Sequence, residues 1–353
     1  MTNALVFVLL WQGVFKLALP GFEFSFPRDH GNHPGYRLEW WYWTGHLTSD
    51  KGRRFGFELT FFRLGIRRDS CSVSNWAIGD LYPAHFALTD IDKGQFFHAQ
   101  KLSRTGPGTG SSAGTLNIWN QQWRAVLEDG GIRLQASSKG ASLDLQLKSL
   151  KDPVIHGQDG VSQKGSQPGQ ASHYYSLTRL LVLGRLRLDG HSHDVQGQAW
   201  MDHEFGTSQI SDEQIGWDWF SLQLDNQFEV MLYRLRTREG SPDPNSAGTV
   251  VSPEGSTSPL EGSQFQLKPT RHWTSRQTGI QYPVGWQVSI PEYDAVLRVI
   301  PLVENQELDT RSSTGIVYWE GAVEVRGRWK GREVTGLGYL ELTGYGDGGR
   351  PNI

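Results

Sequence analysis

The chain has 353 residues, enough for two domains of ordinary size or one large all-β unit. Lys and Arg total 34 against 37 Asp and Glu, a formal net charge of −3 that creates no long-range field toward phosphate backbones, so nucleic acid is not an expected partner. The 42 glycines, 14 tryptophans, 11 tyrosines and 16 phenylalanines suit short strands joined by tight turns, because aromatic rings fit pleated surfaces and glycine supplies positive φ.

From the N-terminus, the run Ala4 to Pro20 is apolar apart from Gln12 and Lys16. About 16 residues is short for a spanning helix, which needs roughly 20, and no Lys or Arg precedes the run. Residues 1–25 are therefore expected to be a signal peptide or short anchor that packs poorly on the rest, with a periplasmic or membrane-associated location. A Trp-rich strand follows from Trp40 to Leu47, and Phe55 to Phe61 alternates apolar and polar residues as a half-buried strand does. Cys71 is the single cysteine, which excludes an internal disulfide and a thiolate metal cluster.

Three polar, Gly/Pro/Ser-rich stretches, 105–114, 152–172 and 237–263, read as loops. The first contains GSSAG, which matches a serine nucleophile elbow by letter but sits in a flexible run and not on a strand-to-helix turn. Leu143 to Leu147 alternates again. His191 and His193 lie at a Gly-flanked hairpin tip, where solvated histidines are common, so no metal is expected there. Helical periodicity is nearly absent. Many short strands with regular turn signals point to a sandwich or a barrel, and a barrel also removes exposed sheet edges.

Phe57-Glu58-Leu59-Thr60-Phe61-Phe62-Arg63 recurs as Phe228-Glu229-Val230-Met231-Leu232-Tyr233-Arg234, and each copy follows a Trp-rich strand, Trp40 to Leu47 and Trp217 to Leu224. Two matching hairpins imply two matching domains. The expected division is 26–206 and 207–353 after the N-terminal segment.

The blocks FPRDHGNHPGYRLEWWYWTGHL (26–47), AHFALTD (84–90), SHYYSLTRL (172–180), GQAWMDHEFG (197–206), YWEGAVEVRG and GYLELTGY, in this order, resemble the carotenoid 1,2-hydratase (hydroxyneurosporene synthase) family, which includes many bacterial proteins labelled predicted secreted hydrolases. The resemblance implies an all-β chain of two tandem lipocalin-like (calycin) β-barrels with an apolar cavity in the first. It implies no metal or nucleotide cofactor and, as partner, a long apolar small molecule such as an isoprenoid or other lipid.

Hydrating an isolated alkene requires an acid strong enough to protonate carbon, a site that tolerates the carbocation, and a water to trap it. A carboxyl in an apolar, aromatic-lined pocket meets the first two needs, since burial favours its neutral form and ring faces attract positive charge. Strand alternation puts Trp200 and Asp202 on one face with His203 on the other, and puts His173 and Tyr175 on one face. These four are expected to form one pocket wall.

The resemblance makes Asp202 the proton donor, His173 its tuning or water-positioning partner, and Tyr175 and Trp200 the lining of the cation site. This chain departs from the hydratases in the order of Trp and Tyr and in carrying Glu204 where they have Asn. Trp41 and Trp43 join the ligand-lining set, although position by position such rings are more often core, and the outward rings of their strand are expected at the interface between barrels. The rival reading of Asp202, His203 and Glu204 is a structural ion-pair knot with Arg63 or Arg179. The functional expectation is an acid-catalysed hydratase or related lyase. A non-catalytic carrier or chaperone of an apolar molecule is the alternative, and a secreted hydrolase the second alternative, for which no nucleophile constellation is visible.

Overall fold

The computed structural model describes residues 15–66, 79–208 and 211–346, so Cys71 lies outside the described residues. The fold is all-β, with two antiparallel sheets. The first has thirteen strands. Its order is Gln95–Arg104, Asp80–Asp90, Arg54–Gly65, Leu38–Ser49, His191–Gly206, Ala171–Leu188, Ala141–Ser149, Gly131–Ser138, Trp123–Glu128, Asn117–Asn120 and Thr109–Ser111, and two short strands add to Ala171–Leu188. The second has ten strands. Its order is Thr257–Glu261, Ala247–Val251, Glu229–Thr237, Gln214–Leu224, Arg332–Leu342, Val317–Trp329, Ala295–Pro301, Gln281–Ile290 and Gln266–Thr274, with Glu307–Asp309 beside Val317–Trp329. Among the described residues, helix is limited to two short 3-10 turns, and no helix is long and apolar enough to cross a membrane.

The two orders are the same motif written twice. In each, a long C-terminal hairpin docks on the Trp-rich strand, whose other edge carries the strand with the repeated Phe-Glu segment. Each sheet wraps its inner face round its own core. Trp41, Trp43, Phe57, Phe61, Phe86 and Trp123 fill the first, while Phe220, Trp286, Trp319 and Trp329 lie in the second. These are tandem lipocalin-like barrels. Their outer faces meet in a third apolar cluster built from Tyr42, Tyr174, Trp200, Trp219, Met231, Tyr233 and Tyr339.

Tight turns set the two long hairpins. Asp189-Gly190 and Lys330-Gly331 each place two successive residues at positive φ, the conformation whose twist matches flanking strands in a two-residue hairpin. In the first barrel the register then slips between Leu177 and Leu180, where Thr178 and Arg179 together oppose Trp200. This bulge turns Arg179 outward, where its Nε donates to Glu229 Oε1 of the second barrel at 2.5 Å.

The N-terminal arm departs from expectation where it is described. Ala18 is buried in a cluster with Tyr36, Val161, Ala171 and Phe205, and Phe22 and Phe24 pack against it. Lys16 N donates to Gly35 O at 2.8 Å. Phe22, Phe24 and Phe26 are half-buried while Glu23 and Ser25 are exposed, so period-two alternation seals one end of the first barrel. Residues 1–14 lie outside the described residues.

Candidate active site

The cleft that Asp202 lines lies between the barrels, while the first barrel's interior holds a core of rings and aliphatic side chains with a recess of its own beside Phe26, Leu127, Ile132, Leu147 and Leu177. The cleft is narrow, with about 90 Å³ of free space. Trp40, Tyr42, Thr60, Phe62 and Tyr174 form the first-barrel wall, and Trp217, Trp219, Tyr233, Leu235 and Tyr318 the second. Carboxyls enter from both sides, Asp202 and Glu204 from one and Glu320 and Glu341 from the other, with Lys164 as the cation in the lining.

The duplication explains this composition. Trp40 pairs across strands with Phe62 and Glu204, and Glu204 with Tyr174. In the second barrel Trp219 pairs with Tyr233 and Glu341, and Glu341 with Glu320. Directly opposed residues share a face, so equivalent rungs of the two copies confront one another across the cleft.

Asp202 is 4 % exposed. Its Oδ1 accepts from Trp200 Nε1 at 2.6 Å and from Ser176 Oγ, and its Oδ2 accepts from Tyr174 Oη at 2.6 Å. Ser176 in turn meets His156 Nε2 at 2.7 Å, and Trp219 Nε1 donates to Tyr174 Oη at 3.1 Å. Burial pushes the Asp202 carboxyl up to about 7 against the downward pull of these hydrogen bonds. Burial likewise raises Glu341, whose carboxyl accepts from Trp217 Nε1, to about 7. Glu204 is ion-paired: Lys164 Nζ stands 3.3 Å from its Oε1 and 3.8 Å from the Tyr233 ring centre.

The ion-pair knot proposed for Asp202 does not form. Arg63 is held by Glu39 and Arg179 by Glu229, and among the described residues no Lys, Arg or His forms an ion pair with Asp202. Glu39, Arg63 and His203 instead make a separate buried network on the inner face. Glu39 Oε1 faces His33 Nδ1 at 2.8 Å and His203 Nε2 at 2.9 Å, and its Oε2 accepts from Arg63 Nε at 3.0 Å. His33, Glu39 and His203 could converge on a metal ion, but the buried Arg63 guanidinium already neutralises Glu39, and a second cation there would be repelled. Burial works to raise the Glu39 carboxyl, yet Arg63, His203 and His33 hold it well below the usual range. Its stabilisation is therefore complete above the ordinary carboxylate value of about 4.5 and is lost as pH falls toward the depressed native value. Glu39→Gln should cost about 3 kcal/mol at neutral pH by stranding Arg63, and should flatten the acid limb of melting temperature against pH, measured by circular dichroism.

Of the residues singled out in the sequence, the structure brings Asp202 and Trp200 together at the cleft. His173, Tyr175, Trp41 and Trp43 point to the opposite face. His173 Nδ1 donates to Gly160 O at 2.7 Å under the N-terminal arm, with its ring 4.5 Å from Phe22. Tyr175 Oη lies between His30 Nδ1 and His203 Nδ1, Trp41 Nε1 donates to His30 O, and Trp43 is core. The expected single wall is corrected by one residue of register. Counting outward from the Asp189-Gly190 turn, unbroken pairing would set Tyr175 opposite Glu204 and on its face. The bulge sets Tyr175 opposite His203 instead, leaving Tyr174 and Ser176 beside Glu204 and Asp202. Glu320 and Glu341 were also missed, although they sit in the quoted YWEGAVEVRG and GYLELTGY blocks and align with Tyr174 and Glu204 once the repeat is extended.

The pattern of AttH-like proteins matches residues 17–345. A dehydratase, asqC of Emericella nidulans, is 24 % identical over 286 residues, covering 76 % of this chain and 78 % of that protein. The crystal structure of an AttH-type protein from Nitrosomonas europaea superposes with a TM-score of 0.85 at 33 % identity, covering 94 % of this chain and all (100 %) of that one. Kievitone hydratase from Nectria haematococca shares the fold, with a TM-score of 0.72 at 14 % identity, covering 93 % and 97 % of the two chains.

Proposed function

This chain belongs to the AttH-like family, and from that premise we propose that it adds or removes water at a carbon–carbon double bond of an apolar ligand held between its barrels. The observation that carries the reading is Asp202, a buried carboxyl with no cationic partner among the described residues, caged by hydrogen-bond donors at the edge of an aromatic cleft. Burial brings its titration near neutral pH, where proton transfer is most effective, and the surrounding rings favour a developing carbocation. A dehydratase relative supports the same chemistry, since addition and elimination of water share one path. The finer reading is an isoprenoid or other lipid substrate of the kind carotenoid 1,2-hydratases take. Such a ligand partitions into membranes, in keeping with the expected periplasmic or membrane-associated location.

The hydrolase reading is disfavoured by geometry. Ser176 and His156 are in contact, but Ser176 donates its proton to Asp202, His156 Nδ1 meets Thr249 Oγ1 and no carboxylate, and Ser176 is fully buried. Incubating the protein in water labelled with heavy oxygen, with neurosporene, with kievitone and with its own co-purified solvent extract, should give a product that has gained one labelled water, read by mass spectrometry. A ligand that quenches tryptophan fluorescence yet returns unchanged assigns the protein to the carriers.

A further inference from the structure

We propose that the water chemistry of the cleft is divided between the barrels, with Glu320 of the second barrel donating the proton and Asp202 of the first accepting one. This rests on the water-transfer reading above and adds a catalytic residue from the domain that the sequence casts only as a companion.

The environments of the two carboxyls differ in the way that separates an acid from a base. Asp202 accepts three hydrogen bonds, from Trp200, Ser176 and Tyr174, and the last two donors are themselves oriented by His156 and Trp219. A carboxyl so surrounded is stabilised as the anion. Glu320 is 1 % exposed and accepts one hydrogen bond, from Tyr42 Oη to its Oε1 at 2.8 Å. Among the described residues no cation pairs with it. It sits with Glu58 and Glu341, whose charges would repel its own, and with Tyr42, Tyr318 and Tyr339. Glu204, paired with Lys164, and Tyr174 are the corresponding neighbours of Asp202. Burial, then Glu341 and Glu58, hold the Glu320 carboxyl well above its ordinary value. Burial raises both carboxyls, but three donors favour the anion of Asp202 while two acidic neighbours oppose that of Glu320, and this difference of surroundings divides base from acid in a shared site.

Their placement suits one substrate. Tyr42 is paired directly with Asp202 across the strands of the first barrel, and its side chain spans the cleft to Glu320. The carboxyls therefore face each other over the reach of one tyrosine. In hydration, the Glu320 carboxyl gives its proton to an alkene carbon as the π pair becomes the new C–H bond. Water attacks the resulting cation, and Asp202 takes the proton that this water loses. The net change is alkene plus water to alcohol, and exchange through the cleft mouth returns Glu320 and Asp202 to their starting states.

Infrared spectroscopy of the full chain reads the two states directly. At about pH 8, above the titration of Asp202 near 7, the protonated-carboxyl carbonyl band that shifts in heavy water should shrink in Glu320→Gln, leaving the part contributed by Glu58, whose carboxyl burial pushes up to about 8, and should be unmoved by heavy-carbon labelling of aspartate. The difference spectrum of Asp202→Asn against the wild type should show the loss of one carboxylate contribution that this label moves. Glu341→Gln and Glu58→Gln identify the contributions of those neighbours. Turnover of whichever probe takes up heavy oxygen should fall at least ~10²-fold in Glu320→Gln with little change in KM. An aspartate label that moves the protonated band, or a well-folded Glu320→Gln that keeps turnover within about threefold, overturns the proposal. If the bands fall as expected but no probe exchanges oxygen, the division of protons stands and the water-transfer reading fails.

Discussion

Asp202→Asn should make the protein more stable at pH 8 and nearly inactive. The native carboxyl titrates near 7, whereas in the unfolded chain it titrates near its ordinary 3.8. Below the lower value both states hold the proton and nothing is gained or lost. Between the two, the unfolded chain releases its proton while the native state keeps it, so stability falls with rising pH by up to about 1.4 kcal/mol per unit, and it levels off above 7.

Asparagine has no such penalty and nearly the same shape. One hydrogen bond of the cage must reorient, which offsets the gain by about 1 kcal/mol. The variant should therefore melt close to the wild type near pH 4 and above it by about 3 kcal/mol of stability near pH 8. Turnover should fall at least ~10²-fold, since the group that exchanges a proton with substrate is gone. Scanning calorimetry across this pH range, with oxygen-label uptake on the same samples, checks both halves. A variant that melts lower at pH 8, or that keeps its turnover, would remove Asp202 from the site.

Glu229→Ala should have the largest effect on stability, because it strands two buried cations at once. Glu229 is fully buried (0 % exposed) and accepts from Arg179 Nε at 2.5 Å and from Lys151 Nζ at 2.7 Å, both from the first barrel. Breaking a buried pair costs about 3–5 kcal/mol, since the remaining charge keeps its desolvation penalty without its partner. For domains of this size the melting temperature should drop on the order of 10 °C. Because the pair joins the barrels and the cleft lies between them, thermal unfolding should broaden or split and ligand affinity should fall with it. A loss under about 1 kcal/mol would mean that water enters the interface and screens both cations.

What the chain makes legible by itself is its local and repeated content. Alternation in Phe55 to Phe61, the Asp-Gly turn at 189–190 and the recurrence of the Phe-Glu segment at 57 and 228 all depend on residues close in sequence. From them follow the all-β class, the tandem barrels and the common face of Trp200 and Asp202. Tertiary structure alone decided which of the two faces of the Tyr174–Tyr175 strand meets Asp202, and where the cavity lies. A single bulge between Leu177 and Leu180 inverts that face, because strand side chains repeat every two residues and a slip of one exchanges them all. The cleft, with Glu320 and Glu341 opposite Asp202, exists only when two distant copies of one motif dock by their outer faces. No local pattern in either copy records which face its partner will cover.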